Sequence, residues 1–122
     1  MTTRILIADD QPLVRRSITQ LLRGSGDNWE VCGEAEDGQT AIQISADVKP
    51  DLVILDLRMP HLDGMTAAQE IHKLLPDVRI IMFTILASPD VELQARRAGV
   101  QAVVPKPKSA ALLSAIRETL QH

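Results

Sequence analysis

Aromatic side chains are nearly missing from this chain: one Trp, one Phe and no Tyr in 122 residues. A core must therefore be assembled from Leu, Ile, Val and Ala, and a stacking platform for single-stranded nucleic acid is excluded. Basic runs are missing too, and the formal net charge is -3, which argues against direct binding of a nucleic-acid backbone. Cys32 is the only cysteine, so neither an internal disulfide nor a cysteine-based metal site can form. It lies in "WEVCGEA", where a buried inert thiol is expected. No apolar stretch approaches membrane-spanning length, and "MTTRILIADD" reaches acidic residues too early for a signal peptide. These absences point to the cytoplasm and away from the membrane. A Gly-rich phosphate loop is also lacking, which argues against a Walker-type NTPase or a dinucleotide site. His61, His72 and His122 show no metal-ligand spacing and read as structural or exposed.

What is present is ordinary in composition, with 45% hydrophobic and 24% charged residues, and clear in its pattern. Strand-like and helix-like runs alternate five times. "RILIA" (4–8) precedes "PLVRRSITQLLRG" (12–24), and "WEVCGEA" (29–35) precedes "GQTAIQISADV" (38–48). "DLVIL" (51–55) leads to a helix from about Gly64 to Leu75, ended by Pro76. "VRIIMFT" (78–84) is followed by "SPDVELQARRAG" (88–99), which carries a Ser N-cap, Pro at the first helical position and a Gly stop. "AVV" (102–104) is the last strand, and the last helix runs from about Ser109 to Gln121. Alternation of this kind predicts an α/β fold, a doubly wound parallel sheet of five strands covered on both faces. Residues 1–122 read as one domain, with no repeat or linker and no room for a second.

The polar residues that interrupt the apolar runs share one location. Asp9 and Asp10 follow the first strand, Asp56 ends the third, Thr84 ends the fourth and Lys106 follows the fifth. All stand at carboxyl ends of strands, where doubly wound sheets bind ligands at the point of strand-order reversal. If the order is 2-1-3-4-5, Asp9, Asp10 and Asp56 come together there. Clustered carboxylates repel one another unless a cation joins them, and the set suits Mg²⁺. A nearby lysine and hydroxyl suit a phosphoryl group, with Asp56 as the nucleophile of an acyl phosphate. Taken singly, each residue has an ordinary explanation: turn chemistry for the Asp pair, a solvated Lys, a packed Thr. Their common edge favours chemistry.

At these residues the sequence resembles the receiver domains of two-component response regulators, the CheY-like family. "ILIADDQPLVR", "DLVILDLRMPHLDG", the Thr after "IIMF", "AGVQAVV" and "PKP" match in order over essentially the whole chain. "WEVCGEAEDGQTAI" further resembles regulators whose receiver precedes a helix-turn-helix DNA-binding domain of the LuxR/NarL/FixJ type. The resemblance implies the flavodoxin-like strand order 2-1-3-4-5. It implies that Asp56 accepts phosphate from a sensor histidine kinase, and that Asp10, Asp56 and the Arg58 backbone carbonyl bind Mg²⁺, with Asp9 helping through water. Lys106 pairs with the phosphoryl group, Thr84 hydrogen-bonds it and relays the change, and Lys106-Pro107 is a cis peptide. Pro105 fits an edge strand, where a missing N–H is tolerated. The implied output is transcription control through a DNA-binding domain absent from this chain, with homodimerisation on phosphorylation. The alternatives are a stand-alone receiver serving as phosphate shuttle or protein-binding switch, and, remotely, a Mg²⁺-dependent phosphohydrolase.

Two positions depart from the family's pattern. Val103 stands where a switch aromatic is usual, so a ring flip cannot operate. Ile85 stands where Ala or Gly is common, and it is either a gate over the phosphoryl site or ordinary core beneath the fourth helix.

Overall fold

In a computed structural model of the chain, which describes residues 2–121, five strands and five helices alternate. They are β1 (Thr3–Ala8), α1 (Pro12–Arg23), β2 (Trp29–Ala35), α2 (Gly38–Val48), β3 (Leu52–Leu55), α3 (Gly64–Leu74), β4 (Arg79–Thr84), α4 (Pro89–Arg97), β5 (Ala102–Pro105) and α5 (Ser109–Gln121). The sheet is wholly parallel and ordered β2-β1-β3-β4-β5. The expected boundaries hold to within a residue or so at each end. The fold is the CheY-like flavodoxin architecture.

The central strands read as unbroken apolar runs because both of their faces are covered. Alternate side chains enter different cores. Ile5, Ile7, Leu52, Ile54, Ile81 and Phe83 pack with Ile18 and Leu22 of α1 and with Leu112 and Ile116 of α5. Leu6, Ala8, Val53, Leu55, Ile80 and Met82 pack with Ala41 of α2, Ala67, Ala68 and Ile71 of α3, and Ala95 of α4. Aliphatic side chains thus do the work that the two aromatics cannot.

Local signals set the helix ends. Ser88 Oγ accepts from Val91 N at the start of α4, with Pro89 in the first turn, and Gly99 follows the cap residue Ala98 with φ 95°. Asp37 and Asp63 cap α2 and α3 in the same way, accepting from Thr40 N and Thr66 N. Pro105 lies in edge strand β5, and Lys106-Pro107 is cis, both as expected.

Cys32 is half-buried rather than buried, because β2 is the other edge strand and its register with β1 skips this residue between Val31 and Gly33. Burial nevertheless raises its thiol pKa above the ordinary value. His61, in a Pro-flanked turn with φ 67°, and His72 are both exposed; His122 lies outside the described residues. Among the described residues no helix is long and apolar enough to cross a membrane.

Candidate functional site

The sheet's hydrogen-bond ladder runs one residue beyond β1, β3 and β5, onto a candidate site residue in each case. Asp9 N donates to Ala35 O, Asp56 N to Ala8 O and Lys106 N to Thr84 O, each at 3.0 Å. These residues therefore inherit the rigidity of the sheet although they stand at its carboxyl edge. Strand order brings them together as expected. Asp9, Asp10 and Asp56 each offer a carboxylate oxygen, and the three oxygens lie within 4.8 Å of one another.

Burial divides the acidic pair that follows β1. Asp9 is only 2% exposed, whereas Asp10 is open to solvent. Asp56 is 8% exposed, and Thr84 is fully buried. Lys106 Nζ joins the two buried carboxylates, 2.7 Å from Asp9 Oδ2 and 3.0 Å from Asp56 Oδ2. Burial alone would lower the lysine's pKa, but hydrogen bonds and charge from Asp9 and Asp56 outweigh it, and the ammonium titrates above its ordinary value. Three carboxylates facing one ammonium leave the cluster with an excess of negative charge.

Asp56 carries the remaining imbalance. Its Oδ2 accepts from Lys106, but its Oδ1 is buried with no hydrogen-bond partner. A buried acceptor left in that state costs about 1–3 kcal/mol, and more when charged. The residues present suit Mg²⁺: hard oxygen donors, excess negative charge, and an unsatisfied buried oxygen at their centre.

The loop after Asp56 is held by two glycines. Gly64 N donates to Leu57 O at 2.7 Å, and a Cβ at Gly64 would stand 2.0 Å from Asp56 O. Gly38 N donates to Leu62 O at 3.1 Å, and a Cβ there would stand 2.2 Å from the same oxygen. Any side chain at Gly64 would push the start of α3 off the Asp56 backbone. Within this loop the Arg58 side chain is exposed, and no described residue donates a hydrogen bond to its carbonyl. Thr84 Oγ1 accepts from Leu86 N at 3.2 Å, which ties the turn after β4 to the strand end. Ile85 is 71% exposed beside Thr84 and is not core beneath α4.

The residues singled out in the sequence do come together here, and the structure adds two features that residue type does not carry. Asp9 is the most buried of the three acids and the nearer partner of Lys106. Gly64 marks the start of α3 in the sequence, and the structure adds its close approach to the Asp56 backbone.

A family model described as the response regulator receiver domain matches residues 5–117. The chain belongs to that family. Receiver domains are the signalling switches of two-component systems, and its relatives include regulators of transcription and of chemotaxis. Transcriptional regulatory protein PdtaR of Mycobacterium tuberculosis is 42% identical over 108 residues, which cover 87% of this chain and 50% of that protein. This receiver therefore spans about half the length of PdtaR. Chemotaxis protein CheY of Bacillus subtilis is 38% identical over 121 residues, 98% of this chain and 99% of that protein. The crystal structure of a LuxR-family two-component response regulator from an Aurantimonas species superposes with a TM-score of 0.92 at 31% identity, covering 99% of this chain and 86% of that one.

Proposed function

We propose that this receiver is phosphorylated on Asp56 by a sensor histidine kinase in the cytoplasm and thereby switches an output. The observation that carries the reading is the state of Asp56, a buried carboxylate with one oxygen gripped by Lys106 and the other without a partner. A side chain in that state is raised in free energy and gains from acquiring a new bond. In the step proposed, an Asp56 carboxylate oxygen attacks the phosphorus of a phosphohistidine. The new O–P bond forms as the P–N bond breaks, and the departing imidazole nitrogen keeps the electron pair and takes up a proton.

Asp10, Asp56 and the Arg58 carbonyl, with Asp9 through water, would hold Mg²⁺, which when bound supplies positive charge against the phosphoryl oxygens. Lys106 supplies a compact ammonium that can pass from a carboxylate to a phosphoryl oxygen. The Thr84 hydroxyl uses an oxygen lone pair to accept from Leu86 N, so its proton stays available to a phosphoryl oxygen. A bond made there would draw on the same side chain that anchors residue 86, and this coupling is the proposed relay. Val103 is half-buried against the core, so the relay works through Thr84 and the 85–89 segment without a ring flip.

The output we infer is transcription control through a helix-turn-helix domain elsewhere in the protein, with a second copy of the chain recruited on phosphorylation. The near full-length match to Bacillus subtilis CheY favours the second reading, a receiver acting alone by docking to other proteins. The sequence of the whole gene separates the two. A phosphohydrolase is disfavoured because, among the described residues, the cluster holds only Asp9, Asp10, Asp56, Lys106 and Thr84, with no side chain left over as a dedicated general acid.

The phosphorylation reading is tested by incubating the protein with Mg²⁺ and acetyl phosphate, then mapping any hydroxylamine-sensitive adduct by mass spectrometry. One adduct on Asp56 is expected. An adduct on another residue, or one that survives in Asp56→Asn, overturns the reading.

A further inference from the structure

Arg15 lies in the first turns of α1, with its side chain only 15% exposed. Helical side chains lean toward the N-terminus, so Arg15 reaches back over the β1–α1 turn. Its Nη1 donates to the Asp9 carbonyl at 2.6 Å, and its Nε donates to Glu34 Oε1 at 2.9 Å. That carbonyl belongs to the peptide group joining Asp9 to Asp10. The group is planar, so holding its oxygen fixes the direction in which the chain leaves toward both Cα atoms.

The two acids depend on this peptide unequally. The Asp9 side chain is held separately, by Gln11 N at 2.9 Å and Lys106 Nζ at 2.7 Å. The exposed Asp10 side chain makes no hydrogen bond or ion pair among the described residues. The peptide gripped by Arg15 is what aims it.

We propose that Arg15 is a positioning residue for Mg²⁺ binding: its guanidinium, neutralised by Glu34, sets the Asp9–Asp10 peptide and so directs the Asp10 carboxylate toward Asp56. The inference rests on the reading of this cluster as the Mg²⁺ site. Charge and positioning here have opposite signs, which makes the idea testable. A lone guanidinium near the cluster repels a dication, so on charge alone its removal would tighten Mg²⁺ binding. Glu34, in direct contact, cancels most of that repulsion and leaves orientation as the net effect. Groups that orient metal ligands typically change metal affinity by about 10–100-fold.

The experiment measures Mg²⁺ affinity by titration calorimetry, and melting in Mg²⁺-free buffer, for the unsubstituted chain, Arg15→Met, Arg15→Lys and Glu34→Gln. Arg15→Met keeps most of the stem and loses the fork, and its Mg²⁺ affinity should fall about tenfold. Arg15→Lys keeps the charge but cannot hold both acceptors, so it should fall between. Glu34→Gln leaves the guanidinium charge uncancelled and should also weaken binding. A folded Arg15→Met that binds Mg²⁺ as tightly as the unsubstituted chain, or more tightly, overturns the positioning role. Should Arg15→Met fail to fold, Arg15→Lys decides: weakened binding supports the role and unchanged binding overturns it. An unsubstituted chain that binds no Mg²⁺ overturns the parent reading instead, and the positioning role falls with it.

Discussion

The two ends of the sheet both carry charged residues, and they treat them differently. At the amino end, Arg4 N donates to Asp51 Oδ2 at 2.8 Å, Arg4 Nη1 donates to Lys49 O at 3.1 Å, and Arg4 Nε lies 3.7 Å from Glu30 Oε1. Asp51 in turn accepts from Arg79 N through its carbonyl at 3.1 Å. These groups are matched and in contact with water, so they stitch neighbouring strands at little electrostatic cost. At the carboxyl end two of the three carboxylates, those of Asp9 and Asp56, are buried, the charge is unmatched in sign, and Asp56 Oδ1 has no partner among the described residues. The proposed phosphorylation draws on this contrast: a ligand arriving at the carboxyl end would complete charge that the fold leaves unsatisfied, and no comparable charge waits at the amino end among the described residues.

The largest expected effect breaks the contrast at its centre. Asp56→Asn keeps the shape and removes both the proposed nucleophile and one negative charge. Phosphoprotein formation should vanish. The variant should melt in Mg²⁺-free buffer at a temperature equal to or above the unsubstituted protein's, because one member of a repelling cluster is neutral. A marked fall in melting temperature would mean that the Asp56–Lys106 contact outweighs the repulsion.

Lys106→Ala works in the opposite direction. It leaves Asp9 and Asp56 buried side by side without a counter-ion, and breaking such a pair typically costs about 3–5 kcal/mol. Lys106 is 13% exposed, so a value near the lower figure is expected in Mg²⁺-free buffer. Added Mg²⁺ should recover more stability in this variant than in the unsubstituted chain, and its Mg²⁺ affinity should not fall as that of Asp10→Ala does. Equal losses in the two variants would show that Lys106 belongs to the metal's own support. The pH dependence has a definite sign. Because the folded-state pKa of Lys106 is raised above 10.5, its contribution is complete below that value and is lost as pH rises through the folded value. Alkaline denaturation curves should show this component in the unsubstituted protein and lack it in Lys106→Ala.

The same contrast explains what could be read from the sequence. Strands, helices and sheet order were legible because β-type and helical runs are separated by Pro, Gly and capping residues at nearly every junction. The clustering of the candidate site residues was legible because Asp9, Asp10, Asp56, Thr84 and Lys106 all interrupt apolar runs at the same edge. Partner choice was not: nothing in "ADD" tells which acid turns inward, and this alone decides that Lys106 grips Asp9. The reach of Arg15 to a backbone carbonyl leaves no trace in residue type. Cys32 reads as an ordinary strand position because the skipped register depends on pairing with β1. Ile85 was ambiguous because an apolar residue at a strand end has the same letter whether it packs or stands free.

Exposure now decides the Ile85 case. At 71% exposed it contributes little to packing, so the loss of about 2–5 kcal/mol usual for a buried Ile→Ala change is not expected. If its side chain shields the phosphoryl site beside Thr84, Ile85→Ala should speed both loading by acetyl phosphate and hydrolysis of the adduct. A severalfold change in each corresponds to about 1 kcal/mol in the barrier. Rates unchanged at an unchanged melting temperature would show that Ile85 is a surface side chain without a part in access.

The smallest effect belongs to the matched end of the sheet and serves as the control for the others. Glu30→Gln removes the charge facing Arg4 Nε while leaving the Arg4 backbone and its Nη1 contact in place. Both side chains meet solvent, so the pair is worth about 0–1 kcal/mol and is weakened further by salt. Glu30 also lies on edge strand β2, paired with Arg4 across the β1–β2 ladder, so like-for-like replacement leaves the register untouched. Melting temperature should shift slightly downward at low ionic strength and hardly at all at high, with phosphorylation of Asp56 unaltered. A stability loss comparable to that of Lys106→Ala would erase the distinction between the two ends, because charge at the amino edge would then be as tightly committed as charge at the site.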